Sequence, residues 1–210
     1  MTDIERPPRI GVLGGTFDPV HNGHLHIACQ LREALGLERI VWAPAGRPPH
    51  KAGQIVSSDR DRLAMLELGL ASSPSDEIST IDINRSGPSY TADMLELLSA
   101  RLHPARLFFL MGEDSLRDLP TWHDPDRILQ TAELAVAGRP GVDTDLDAVA
   151  LAVPAVSGRV HLIPIKEVAV SSSDIRRRVR DRESIRGLVP PAIEKYIREH
   201  DLYTARNSVP

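Results

Sequence analysis

Two histidines three residues apart, His21 and His24, enclose a glycine within the stretch Gly14-Gly15-Thr16-Phe17-Asp18-Pro19-Val20-His21-Asn22-Gly23-His24-Leu25. The apolar run Ile10 to Leu13 leads into it, so the glycine pair falls where a strand turns into a helix. Glycine there lets the backbone turn tightly and approach a ligand with no Cβ in the way. Alone, such a pair signals no more than a tight turn. It fits neither the G-x-G-x-x-G of dinucleotide-binding folds nor the G-x-x-x-x-G-K-[ST] phosphate loop. The histidines add chemistry, because N–H groups and the macrodipole at a helix start favour an anion, and imidazoles at i and i+3 share one face of that turn. Together they form a cradle for phosphate, with Gly23 keeping clear the space where a nucleotide would lie. Two other readings stay open for the same residues: hydrogen-bonded structural histidines or, with His26, metal ligands. The metal reading lacks a third ligand and a carboxylate at zincin spacing.

A second cluster, Ser171-Ser172-Ser173-Asp174-Ile175-Arg176, carries related chemistry. Serines cap a helix and offer N–H and O–H donors, and an arginine one turn in can fork onto phosphate oxygens. Arg177, Arg178, Arg180, Arg182 and Arg186 extend the basic run, but Asp174, Asp181 and Glu183 dilute it, and such a run reads as a solvated face. Asp114, beyond the apolar run Leu107 to Met111, could accept from ribose hydroxyls, with Gly112 allowing close approach; a helix cap is its other reading. Trp122 sits among polar residues, where an aromatic face can stack on a flat, electron-poor ring, against the alternative of a partly buried core aromatic. Lys51 and Arg139 are candidate phosphate partners, each a single charge.

Short apolar runs alternate with amphipathic stretches along the rest of the chain. Strands are predicted over Ile10–Leu13, Ile40–Ala43, Ile78–Ile83, Leu107–Met111, Leu134–Ala137 and Val160–Ile163. Helices are predicted near Leu25–Leu35, Asp59–Leu70, Thr91–Leu102, Asp126–Gln130 and Asp145–Val153, with two more after Ser171 and after Pro190-Pro191. Ser58 followed by Asp61, and Asp124 followed by Pro125, read as helix starts. This alternation predicts an α/β, Rossmann-like, doubly wound parallel sheet with helices on both faces, in one domain. Ligands of such sheets bind at the carboxyl ends of strands where the strand order reverses. The Pro- and Gly-rich segment Pro44 to Ser57 is the longest connection without a predicted element.

The 210 residues suffice for one well-buried core, and 41% hydrophobic with 26% charged residues are ordinary globular values. A formal charge of −4 argues against a general nucleic-acid or membrane binder. Met1 to Arg9 holds no signal-peptide core, no apolar run reaches the length of a membrane span, and Cys29 is the sole cysteine. A cytoplasmic location is the expectation, and a homo-oligomer is compatible with the sequence.

The twelve residues from Gly14 to Leu25 resemble the signature of the nucleotidyltransferase superfamily with the H-x-G-H motif, and specifically that of bacterial nicotinate-nucleotide adenylyltransferases. The resemblance continues through Pro44 to Lys51, Ser89-Tyr90-Thr91-Ala92, Met111 to Leu116, Leu119-Pro120-Thr121-Trp122-His123, Arg139-Pro140-Gly141 and Leu188-Val189-Pro190. Val170 to Arg176 resembles the family's second signature, I-S-S-T-x-I-R, with Val170 for Ile and Ser173 for Thr. The resemblance implies an enzyme of NAD biosynthesis that moves AMP from ATP to nicotinate mononucleotide, with Mg²⁺ bound mainly through ATP phosphates. It implies catalytic roles for His21, His24 and Arg176. It also implies ATP or phosphate binding by Gly14, Gly15, Thr16, Phe17, Lys51, Gly112, Asp114, Ser171, Ser172, Ser173 and Ile175, and nicotinate mononucleotide binding by Thr91, Trp122 and Arg139. A sister enzyme acting on nicotinamide mononucleotide or phosphopantetheine, or a nucleotide-sensing module without turnover, would share the first motif.

Overall fold

The structure, a computed structural model, describes residues 6–48, 57–138, 145–166 and 168–204. Lys51 and Arg139 lie outside the described residues. In chain order the elements are β1 (Arg9–Gly15), α1 (Asn22–Leu35), β2 (Arg39–Pro44), α2 (Asp59–Leu70), β3 (Glu77–Ile78), α3 (Thr91–Leu102), β4 (Arg106–Gly112), α4 (Glu113–Asp118), α5 (Pro125–Thr131), β5 (Ala132–Gly138), α6 (Leu146–Ala152), β6 (Val160–Pro164), α7 (Ser172–Arg180) and α8 (Pro191–Glu199).

The six strands form one sheet in the order β3-β2-β1-β4-β5-β6, every pair parallel. Chain order therefore runs outward in both directions from the β1–β4 seam, and the connections leaving these two strands diverge to opposite faces. That divergence opens a crevice above the carboxyl ends of β1 and β4. Seven consecutive residues of β5 are buried, and five in β4, as central strands covered on both faces require.

Two cores sandwich the sheet. On one face, Leu31 of α1, Met65 and Leu66 of α2, Ile175 of α7 and Ile193 of α8 pack over Trp42 and Phe108. On the other, Leu95 and Leu98 of α3, Leu116 of α4 and Ile128 of α5 pack over Val12, Phe109 and Leu134. Helix ends follow local chemistry: Gly36 closes α1 at φ 57°, and the Ser58 Oγ caps α2 by accepting from the Asp61 N–H at 3.1 Å.

Three local expectations are revised. The predicted Ile78–Ile83 strand stops at Ile78: the Ser79 N–H makes the last bond to β2, at 2.8 Å from the Trp42 carbonyl, and the chain then folds into a turn that buries Asp82. Residues after Gly112, for which no element was predicted, form the six-residue helix α4. Asp124 does precede α5, but it does so at φ 48° and its side chain makes no capping bond.

The C-terminal residues return to the start of the sheet. The Tyr203 hydroxyl donates to Asp18 Oδ1 at 2.7 Å, and the Ser57 N–H donates to Asp18 Oδ2 at 3.2 Å. Asp18 is 2% exposed, so these donors replace the water its carboxylate has lost. Tyr203→Phe removes one of them and should cost about 1.5–3 kcal/mol of stability, the range for a hydrogen bond to a charged group. Urea denaturation measures this, and an unchanged midpoint would show that the tie adds nothing.

Candidate active site

Above the β1–β4 seam lie two cavities. The first, about 280 Å³, is floored by Gly14, Gly15 and Thr16 at the end of β1 and walled by Thr91, Trp122 and His123. The second, about 540 Å³, is lined by His21, His24, Gly112, Asp114, Ser171 and Ser173 among others. Ser115, in the first turn of α4, belongs to both, so the two adjoin where the strand order reverses.

His21 and His24 form a reciprocal capping box at the start of α1. The His24 N–H donates to His21 Nδ1 at 3.4 Å, and the His21 N–H donates to His24 Nδ1 at 3.3 Å. The rings stack at 3.7 Å between centroids, and the buried Phe17 ring meets His24 edge-on at 5.1 Å. Because each Nδ1 accepts a backbone proton, each neutral ring carries its own proton on Nε2. Burial pulls His21 down to about 4 from its ordinary 6.5, opposed by a smaller backbone contribution, so this ring is neutral at pH 7. His21 therefore presents a neutral ring to the second cavity, and His24 lines it alongside. The sequence reading relied partly on unspent helix N–H groups, yet the Asn22 N–H is taken by the Leu188 carbonyl at 2.9 Å and the His24 N–H by His21.

Gly23 lines the second cavity and also has a packing role that its position did not announce. A Cβ there would lie 2.9 Å from Val170 Cγ1 and 3.1 Å from the His21 ring, so the space it vacates is filled by protein. The absent side chain lets the segment before α7 close against the histidine pair. Helix α7 is then tied to the same turn: Ser172 Oγ donates to the Pro19 carbonyl at 3.0 Å, and Arg176 Nη1 donates to the Asp18 carbonyl at 2.7 Å. Ser171 caps α7 through the Asp174 N–H at 3.1 Å, and Ile175 anchors the helix in the core. Arg176 Nη2 reaches Ser173 Oγ at 3.3 Å. The two signatures, about 150 residues apart, thus meet around one turn. Arg177 and Arg178 instead pair with Asp174 and lie on the outer side, as their charge pattern predicted.

Asp114 lies in the first turn of α4, exposed and paired with Arg117. His26 donates to the Lys166 carbonyl at 2.7 Å, apart from the histidine pair, and no group of three His, Cys, Asp or Glu side chains among the described residues is placed to hold a metal ion. Trp122 leans edge-on against Phe109, 6.1 Å between centroids at 76°, and is half-buried along the first cavity. Thr91 opens α3 beside it. Gly14 to Thr16, grouped from sequence with the ATP phosphates, line the first cavity, because β1 ends between the loops that follow β2 and β4.

Several contributors carried no sequence assignment. Arg62, 1% exposed, donates to the Thr16 carbonyl at 2.7 Å from beneath the turn. Asp82 lines the first cavity and accepts from the Gly46 N–H at 3.1 Å. Tyr90 and His123 stack at 4.0 Å across its mouth. Tyr90 and His123 stood inside motif blocks quoted above, whereas Arg62, Asp82 and Tyr203 offered no local pattern.

A family model described as cytidylyltransferase-like matches residues 12–178, and the chain belongs to that family. Among curated proteins it is 50% identical to a probable nicotinate-nucleotide adenylyltransferase of Thermomicrobium roseum, over 93% of this chain and 91% of that protein. It is 44% identical to the Roseiflexus sp. protein of the same description, over 92% and 97%. Within the family the chain is thereby a member of the nicotinate-nucleotide adenylyltransferases. Among solved structures, the Plasmodium falciparum nicotinic acid mononucleotide adenylyltransferase complexed with NaAD shares the fold at a TM-score of 0.76 and 17% identity, covering 93% of this chain and 97% of that one.

The buried His21 makes a pH prediction. Its folded form holds a proton more weakly than the unfolded chain, so its contribution to stability is complete above pH 6.5 and is lost as pH falls towards 4. His21→Asn keeps a capping acceptor and removes the titration. Between pH 6.5 and 4 the parent should lose up to about 3 kcal/mol more stability than the variant. Identical slopes in denaturant titrations would contradict a buried, neutral His21.

Proposed function

We propose that this protein joins AMP from ATP to nicotinate mononucleotide, releasing pyrophosphate and forming deamido-NAD, in the cytoplasm. The observation that carries the reading is the pair of adjoining cavities at the switch point, one lined by stacked imidazole donors and the other by an indole. Triphosphate suits the first lining and a pyridine ring the second.

ATP, as its Mg²⁺ complex, occupies the second cavity, with His21 and His24 directing Nε2–H groups at triphosphate oxygens. Its ribose lies towards Gly112 and Asp114. The segment Ser171 to Ser173 and the remaining N–H groups of Arg176 face the leaving pyrophosphate. Nicotinate mononucleotide occupies the first cavity with its ring along Trp122 and its carboxylate towards the start of α3 at Thr91. Its phosphate then points towards Ser115, which both cavities share. An oxygen of that phosphate forms the new bond to the α-phosphorus of ATP while the bond to the β-phosphate bridge oxygen breaks. Positioning and charge stabilisation by fixed donors supply the catalysis. The Mg²⁺ is carried on the phosphates, which suits an ion that keeps several waters.

Pyrophosphate release from Mg·ATP with nicotinate mononucleotide, nicotinamide mononucleotide and phosphopantetheine as parallel acceptors tests the reading. The first should be used far faster than the other two; preference for another would overturn the acceptor assignment, and tight ATP binding without turnover would favour a sensor. His24→Ala removes one donor and should lower kcat by about 10²–10³-fold; unchanged turnover would exclude the assigned role. Trp122→Ala should raise KM for nicotinate mononucleotide about two- to tenfold, the equivalent of the ~0.5–1.5 kcal/mol of an aromatic contact, with KM for ATP unmoved. Equal shifts in both would remove Trp122 from the acceptor pocket.

A further inference from the structure

The walls of the first cavity come from three loops that share no strand ladder. Ala45 to Pro48 follow β2, Asp82 to Tyr90 follow β3, and Trp122 and His123 follow α4. A line of alternating charges connects them. Asp82, buried at 5%, accepts from the Gly46 N–H at 3.1 Å and from Arg85 Nε at 2.6 Å. Arg85 also donates to the Pro88 carbonyl and reaches Asp93, in the first turn of α3, at 3.5 Å. Asp93 in turn accepts from Arg127 Nη2 at 3.0 Å. Arg127, on α5, holds Glu96 of α3 through two bonds of 2.9 and 2.6 Å, and donates to Asp124 Oδ2 at 3.3 Å.

Asp124 is where this line meets the cavity. Its φ of 48° lies in the left-handed region that side chains other than glycine rarely adopt, and it directly follows Trp122-His123. The Arg127 N–H also donates to the Asp124 carbonyl at 3.1 Å, so one arginine grips both the backbone and the side chain of the turned residue. Helix α3 acts as the beam, carrying Thr91 at its start, Asp93 within its first turn and Glu96 in the next. A planar fork holds its donors apart in a fixed plane and so reaches three carboxylates on different sides, whereas a lysine presents its three donors from a single point.

The geometry points to Arg127 as a positioning residue for acceptor binding: it holds Asp124 in its left-handed turn and so sets the distance of Trp122 and His123 from the α3 wall. This inference rests on the assignment of the first cavity to nicotinate mononucleotide. The second cavity contains none of the residues in this line, so the effect is confined to one substrate. Sites that act as one unit also give non-additive losses.

The test measures KM for each substrate at saturating levels of the other, and nicotinate mononucleotide affinity separately by quenching of Trp122 fluorescence, with the buried Trp42 as a constant background. Arg127→Met should raise both KM and Kd for nicotinate mononucleotide about tenfold, with KM for ATP within about twofold of the parent. Asp93→Asn should give a smaller shift, and the double variant should be no worse than Arg127→Met alone. Arg127→Lys, which keeps the charge but not the fork, provides a milder substitution that folds if Met is not tolerated, and should shift the acceptor constants about threefold. Unmoved acceptor constants, or ATP and acceptor constants rising together, would overturn the proposal. A parent protein silent with nicotinate mononucleotide but active with another acceptor would instead overturn the functional reading, and the same variants would then be measured with that acceptor.

Discussion

The buried carboxylate of Asp18 is the constraint on which the arrangement of the site depends. A charge that is 2% exposed must be satisfied by protein donors or the turn carrying it cannot form. Tyr203 from the C-terminal segment and Ser57 before α2 supply those donors, while Arg176 and Arg62 hold the neighbouring carbonyls of Asp18 and Thr16. Three distant segments, the start of α2, α7 and the C-terminal segment, are thereby fixed to the five residues between β1 and the histidine pair. Phe17 sits within them at φ 51°, a conformation costing about 1–2 kcal/mol that persists because its surroundings over-determine it. The compensation lies in its ring, fully buried against Trp42 and His24.

What this turn delivers is a pair of imidazoles whose protonation and orientation are set before substrate arrives. Each Nδ1 is engaged by a backbone N–H and each Nε2 carries the proton, so neither ring holds a lone pair ready to attack phosphorus. Donors fixed in this way cost little reorganisation as charge develops on the triphosphate. The arrangement suits direct transfer between two bound nucleotides, one in each adjoining cavity.

Much of this was legible in the sequence because its signals are local. The glycine pair, the histidines at i and i+3, and the Ser171 cap all act within one turn of chain, and strand burial in β4 and β5 is visible as unbroken apolar runs. The helices Asp59–Leu70 and Thr91–Leu102 likewise keep their expected bounds, the first with the Ser58 cap that announced it. What escaped depends on residues far apart in the chain. Tyr203 meets Asp18 across 185 positions and Arg62 meets Thr16 across 46, and neither has a neighbouring pattern that announces a partner. The packing side of Gly23 escaped for the same reason, since its missing Cβ also accommodates Val170 from the other signature. The Ile78–Ile83 run resembled a strand, but β3 is an edge strand with one partner, and the buried Asp82 pulls the chain away from it.

The most direct test of the central claim, that the histidines hold charge while one nucleotide attacks the other, is the stereochemical course at the α-phosphorus. With ATP made chiral at that centre and nicotinate mononucleotide as acceptor, a single in-line displacement predicts inversion of configuration in the deamido-NAD formed. Retention would require two displacements through a nucleotidyl-enzyme intermediate, and would contradict an account in which no protein atom bonds to phosphorus.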